Sequence, residues 1–261
     1  MLEIKMVNWK KLLTKGKAMY LAYDQGLEHG PEHDFNDKNV DPLFILDIAK
    51  RGKFNGIVFH KGIVEKYFDE IKKSKVPLIF KLNGKTKLVS GEPISAQIAT
   101  VKDALNYGAK AVGFTIYIGS EHESKMIEQF EIIQRESHAK KIPVITWMYP
   151  RGEKVKDDTS REMMAYAARV GLEIGADMVK MKYGGNEKDL EWAVKSAGRT
   201  KVVIAGGTKK EGKEFLKDVM EIMKAGASGI AVGRNVWQSK DPLRIAREMR
   251  RIVFGKNIPT Q

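Results

Sequence analysis

Apolar positions along the chain fall into two alternating patterns. Short runs rich in Val, Ile, Phe and Tyr occupy Ala18–Asp24, Gly56–His60, Pro77–Leu82, Ala111–Tyr117, Pro143–Tyr149, Asp177–Tyr183, Lys201–Gly207 and Gly229–Arg234. Each ends near Gly, Pro or a charge, which is a strand signal. Between them lie longer stretches whose apolar residues recur at the spacing of one helix face. Asp41 and Pro42 open one as N-cap and first helical residue, with Phe44, Ile45, Ile48 and Ala49 on one side. The others are Lys61–Ser74, Ser120–Ala139, Thr159–Ile174, Leu190–Ala197, Glu211–Ala225 and Asp241–Phe254. Thr159 and Glu162 have the spacing of a capping box. Gly108, Gly175 and Gly226 each lie between a helix pattern and a strand, with Gly52 a looser case. A glycine there lets the chain turn through a left-handed conformation.

Strand followed by helix, repeated about every 30 residues, means βαβ units and a parallel sheet. Eight units predict an α/β fold, a single (β/α)8 TIM barrel spanning residues 1–261, with Ile4–Leu13 as an extra N-terminal helix. An open doubly wound sheet usually carries Gly-x-Gly-x-x-Gly after its first strand. Here the first strand runs into Asp24-Gln25-Gly26-Leu27-Glu28-His29-Gly30, which is a different loop.

Composition narrows the class. The length of 261 residues suits one barrel, and 43% hydrophobic with 30% charged residues suits a globular core. The absence of Cys excludes a disulfide-stapled domain. No run approaches the roughly 18 apolar residues of a membrane span, and no apolar leader is visible, so a cytoplasmic location is expected. The net charge of +13 raises the question of nucleic acid or an anionic membrane. The lysines are spread along the chain beside Glu and Asp, and runs such as Thr208–Lys213 are short and interrupted. No aromatic-interleaved basic stripe exists, so a solvated surface is expected, with no nucleic-acid or membrane partner.

In such a barrel the chemistry sits at the C-terminal ends of the strands. Those ends carry Asp24, His60-Lys61, Lys81 with Asn83 and Lys85, Trp147-Met148-Tyr149, Lys180 with Lys182, Ala205-Gly206-Gly207 and Gly233-Arg234-Asn235. Lys180 and Lys182 share a face of one strand. Buried beneath the outer helices they would be costly, so they are expected at the barrel mouth. A nearby cation and desolvation both lower a lysine pKa, and the free amine can then attack a carbonyl to form a Schiff base. The iminium is an electron sink that allows a carbon–carbon bond to break or form. Which lysine attacks is open at this point. Tyr149 and Asp24 are candidates for proton transfer, and Trp147 for a pocket wall. Gly206, Gly207, Gly233 and Arg234 predict a phosphate site, because barrels commonly hold phosphate at the last two loops. Arg151 is a candidate for a second anionic end.

Taken together, Leu21–Pro31, Lys81–Thr86, Trp147–Gly152, Lys180–Tyr183 and Ala231–Gln238 resemble the archaeal-type class I fructose-bisphosphate aldolases. The resemblance spans nearly the whole chain. It implies reversible cleavage of a phosphorylated ketose without metal or other cofactor, with Lys180 as the Schiff-base lysine. It further implies Tyr149 as acid/base, Asp24 near the imine, Trp147 against substrate, and Gly206, Gly207, Gly233 and Arg234 around a phosphate. Lys182 receives an electrostatic part only. Members assemble as homo-oligomers, often decamers of two pentamers. Gln25 stands where the family often has His, and Ala205 where it often has Ser. The related heptulosonate synthase of aromatic biosynthesis, which makes 2-amino-3,7-dideoxy-D-threo-hept-6-ulosonate, is the alternative. Carboxylate clusters for Mg²⁺ are sparse, so no phosphatase activity is expected.

Overall fold

A computed structural model describes residues 7–255. Its eight long parallel strands are β1 (Ala18–Ala22), β2 (Gly56–His60), β3 (Leu78–Lys81), β4 (Ala111–Ile118), β5 (Val144–Pro150), β6 (Met178–Met181), β7 (Lys201–Ala205) and β8 (Gly229–Val232). Each pairs with its neighbours in sequence, and β8 returns to β1 from Ala18–Gly229 to Leu21–Val232, closing the barrel. Helices cover the outside and side chains fill the inside, so neither face of a strand meets water. That is why the strands read as continuous apolar runs rather than alternating ones.

The helices follow the predicted pattern with informative exceptions. Pro42–Arg51 starts as expected, the Asp41 carboxylate accepting from the Leu43 N–H at 2.9 Å. Lys61–Ser74 is two helices, Lys61–Lys66 and Phe68–Ser74, because Tyr67 leaves the helical region at φ −121°. The expected Thr159–Glu162 box is absent: the helix starts at Arg161, and the Ser160 hydroxyl accepts from Met163. A capping box forms instead between Thr100 and Asp103, ahead of Val101–Asn106, a helix too short to show an apolar period. Gly108, Gly175 and Gly226 adopt positive φ as expected, whereas Gly52 has φ −73° and Lys53 takes the left-handed turn.

The expected N-terminal helix is corrected. Residues 7–13 run as loop and turn, and Ile4–Met6 lie outside the described residues. Leu12 and Leu13 both donate to the Trp9 carbonyl, and the chain then reverses through left-handed Lys15 and Gly16. The segment closes the N-terminal mouth of the barrel: Asn8 donates to Lys141 O ahead of β5, and the Tyr20 hydroxyl donates to Leu12 O. No described helix is long and apolar enough to cross a membrane.

Candidate active site

Register decides which side chains share the barrel interior. Trp147 on β5 lies opposite Lys180 on β6, and His60 on β2 lies opposite Lys81 on β3. Paired residues in adjacent strands point to the same side. All four are buried. Nζ of Lys180 lies 4.5 Å from the Trp147 ring centroid, and Nζ of Lys81 lies 5.2 Å from it. Gly113 on β4 makes room for this arrangement. A Cβ there would meet Trp147 Cζ3 at 2.5 Å and Lys81 Cδ at 3.2 Å.

The two lysines differ in support. Lys81 Nζ donates to the backbone oxygen of Asn83 at 2.7 Å and to its Oδ1 at 2.9 Å, and lies 4.0 Å from Glu28 Oε1. Asn83 Oδ1 also accepts from the Thr115 N–H, and its amide donates to Thr115 O and Ser95 O. Lys180 Nζ makes no hydrogen bond among the described residues. Burial holds its pKa below the usual lysine value, against the pull of Asp24 and Glu28.

Asp24 follows β1 and is buried. Burial alone would raise its pKa, but Lys180, Lys81 and His60 outweigh that and hold the carboxyl ionised. Burial, then Lys81, pushes His60 down to about 4, so it is neutral at pH 7. Burial, then Asp24 and Glu28, drives the Tyr149 phenol well above its ordinary value, so it carries its proton at rest. The Arg151 guanidinium lies 5.6 Å from the Tyr149 ring and 5.1 Å from the Tyr117 ring.

These groups border one cavity of about 470 Å³. Asp24, Trp147, Tyr149, Arg151, Lys180 and Lys182 all line it, as do Gly206, Gly207, Gly233 and Arg234 from the loops after β7 and β8. Asn235 pins those loops: its amide donates to Gly206 O at 2.6 Å and Thr208 O at 2.9 Å, and its Oδ1 accepts from the Lys210 N–H. Arg234 spends two of its five donors on Asp34 and on Gly207 O. Gly233 is required by close approach, since a Cβ there would meet Gln25 Nε2 at 2.6 Å and Ala22 O at 2.9 Å.

One expectation changes. Lys182 lies beyond the end of β6 and pairs with Asp158, so the cation that shares the Trp147 ring with Lys180 is Lys81. Strand parity put Lys182 beside Lys180, but the strand ends at Met181. Lys81 was visible as a strand end, and its inward aim follows from its register with His60, which only the fold reveals. Glu28 and Asn235 also belong to the site, and both lie inside the sequence motifs that carry Asp24 and Arg234.

Comparison with known proteins agrees with this geometry. Residues 18–239 match the DeoC/LacD family of aldolases. The chain is 50% identical over 244 residues to the class 1 fructose-bisphosphate aldolase of Thermoproteus tenax, covering 92% of this chain and 91% of that protein. It is 38% identical to a fructose-bisphosphate aldolase/6-deoxy-5-ketofructose 1-phosphate synthase of Methanocaldococcus jannaschii, over 94% of this chain and 84% of that one. An archaeal fructose-1,6-bisphosphate aldolase whose catalytic Lys is covalently bound to the substrate's carbinolamine intermediate superposes with a TM-score of 0.89. It shares 47% identity and covers 95% of this chain and 98% of that one. A buried amine facing a loop-lined cavity in a closed eight-stranded barrel, with this similarity across nearly all of its length, places the chain in the DeoC/LacD family of aldolases.

Proposed function

We propose that the protein cleaves fructose 1,6-bisphosphate reversibly to dihydroxyacetone phosphate and glyceraldehyde 3-phosphate as a class I aldolase, with Lys180 as the nucleophile. The observation that carries this is Lys180 itself: a buried, pKa-lowered amine with no hydrogen bond among the described residues, lining a cavity shared with two glycine loops. The amine attacks the C2 carbonyl, and loss of water from the carbinolamine gives the iminium. Asp24 relays the protons of that dehydration. In cleavage the phenolate form of Tyr149 takes the C4 hydroxyl proton, the C3–C4 bond breaks, and its electron pair enters the iminium to give the enamine. The aldehyde leaves, C3 takes up a proton, and hydrolysis frees the ketone and Lys180.

Gly206, Gly207, Gly233 and Arg234 hold the phosphate next to C1, and Arg151 with Lys182 faces the other phosphate. Trp147 walls the reacting carbons. The Gln25 departure leaves an amide at the phosphate end, and at Ala205 the backbone still borders the cavity. The protein acts on soluble sugar phosphates in the cytoplasm as a homo-oligomer, a decamer by family likeness.

The test is borohydride reduction with dihydroxyacetone phosphate, followed by digestion and mass spectrometry. An adduct on Lys180 that forms equally in EDTA is expected. An adduct on Lys182, or none, overturns the assignment. The Methanocaldococcus jannaschii relative favours a second reading, since its name carries a 6-deoxy-5-ketofructose 1-phosphate synthase activity. The ratio of kcat/KM for that ketose and for fructose 1,6-bisphosphate decides between them, and the heptulosonate synthase reaction belongs in the same assay.

A further inference from the structure

The carboxyl of Glu28 has no part in the reaction as derived above, although it borders the same cavity. We propose that Glu28 is a specificity-determining residue: its carboxyl receives the C5 hydroxyl of the ketose, which is the hydroxyl beside the aldehyde of glyceraldehyde 3-phosphate, and so selects hydroxylated aldehydes as partners of the enamine. The inference rests on the class I aldolase reading above.

The path of the carbon chain through the mouth carries it. C2 is fixed at Lys180, and the phosphate next to C1 lies at the loops after β7 and β8. The remaining carbons therefore run towards the end of β5, with C4 at Tyr149 and the far phosphate at Arg151. C5 is the one carbon between those two contacts. The Arg151 guanidinium lies close to the rings of both Tyr149 and Tyr117, so these three side chains form one wall. Tyr117 and Tyr149 are paired in register and share the inner side of the sheet. Glu28 stands against that wall from the Gln25–His29 helix: its charge acts on both phenols, and Arg151 acts on it. Leu27 seats the helix, since a Cβ at Gly84 after β3 would meet Leu27 Cδ2 at 2.5 Å.

The state of the carboxyl points to a ligand with a proton to give. Glu28 Oε1 is buried and accepts no hydrogen bond among the described residues. Lys81 Nζ lies 4.0 Å away and is spent on the two oxygens of Asn83. A buried acceptor without a donor is costly, and each such atom calls for a partner. Burial also raises the carboxyl above the usual glutamate range, with Lys81 pulling the other way. A donated hydrogen bond therefore counts for more here than at the surface. The donors of the wall are committed elsewhere in the reaction: the Tyr149 phenol to C4 and the Arg151 guanidinium to phosphate. A hydroxyl on C5 supplies what Glu28 lacks. An aldehyde without that hydroxyl leaves the carboxyl desolvated and unpaired, which is how a polar site rejects an analogue.

The test measures condensation of dihydroxyacetone phosphate with glyceraldehyde 3-phosphate and with 3-oxopropyl phosphate, the same aldehyde without its hydroxyl. In the intact enzyme kcat/KM is expected to be about 10- to 100-fold higher for the hydroxylated aldehyde. In Glu28→Leu that ratio is expected to fall to near one, through loss with glyceraldehyde 3-phosphate. Glu28→Gln keeps an acceptor and is expected to retain most of the ratio. A merely structural role would lower both aldehydes together. Equal losses in Glu28→Leu overturn the proposal, and so does an intact enzyme that does not distinguish the two aldehydes. Borohydride trapping of dihydroxyacetone phosphate on Lys180 is followed alongside, because that half of the reaction contains no C5. No adduct in the intact enzyme overturns the Schiff-base reading and this inference with it, whereas an adduct with an unaltered ratio in Glu28→Leu overturns this inference alone. If urea titration shows Glu28→Leu to be unfolded, Glu28→Asp decides, since its carboxyl is withdrawn by one methylene: a narrowed ratio is expected, and an unchanged one sinks the idea.

Discussion

Tyr149 has to move a proton although burial and two carboxyl groups keep its phenol far from ionisation at neutral pH. A phenol so held is a ready donor in the condensation direction, giving its proton to the C4 oxygen as the C–C bond forms; in cleavage the phenolate takes that proton back from the C4 hydroxyl. Tyr149→Phe is therefore expected to lower kcat by roughly 10²- to 10⁴-fold. Trapping of dihydroxyacetone phosphate on Lys180 should persist, because the imine half of the reaction does not need the phenol. Loss of both together in a folded variant would contradict this division of labour. Asp24 and Tyr149 were legible in the chain because each closes a strand pattern, and Lys180 because a lysine inside an apolar strand run must face the mouth. Lys81 sits near the end of one too, yet its setting beside Trp147 depends on Asn83, Glu28 and Gly113, which come together only in the closed sheet. Lys182 lines the same cavity as expected but stands away from the Trp147 ring, because alternation is a rule about strands and the strand stops one residue earlier.

At the scale of elements, the apolar period located all eight strands and most helices, since long buried segments leave a strong pattern. What it missed is short or local. The Gln25–His29, Pro31–Asp34 and Val101–Asn106 helices have too few residues to show a period. The start of Arg161–Glu173 was displaced by one residue because Thr159 and Ser160 are both good caps, and Ser160 is the one whose hydroxyl accepts from the helix. Ser160→Ala should cost about 1 kcal/mol in urea unfolding with kcat/KM unchanged. Gly113 on β4 is a stronger case. A methyl group at this position meets the Trp147 indole at 2.5 Å, with Lys81 beside it. Gly113→Ala should cost about 1–3 kcal/mol by overpacking, and it should lower kcat through the displaced indole. A fully active, fully stable Gly113→Ala enzyme would show that the slot is not needed.

For the whole molecule, acid stability is set in part by His60. Its folded pKa is about 4, against about 6.5 in the unfolded chain. Between those values the unfolded chain binds the extra proton, so stability falls as pH drops from about 6.5 towards about 4. The slope contributed is at most ~1.4 kcal/mol per pH unit. Above that window the contribution is constant. His60→Asn should flatten the urea-midpoint profile across this window, and an unchanged profile would assign the acid sensitivity to other groups. The surplus of 46 basic over 33 acidic residues adds self-repulsion of the same sign at low pH.

The closure of the barrel has a further consequence for how the protein comes into being. The seam between β1 and β8 joins segments about as far apart in the chain as any in the structure: Trp237 Nε1 donates to Ala22 O, and Gln238 donates to Asp34 O. Asp24 lies just past one side of that seam, and Gly233 and Arg234 lie just past the other. A nascent chain still lacking its last strand and helices has Lys180 but neither the seam nor the second glycine loop. The phosphate-facing glycine loop and the mouth beside Asp24 thus take shape together, when the seam closes.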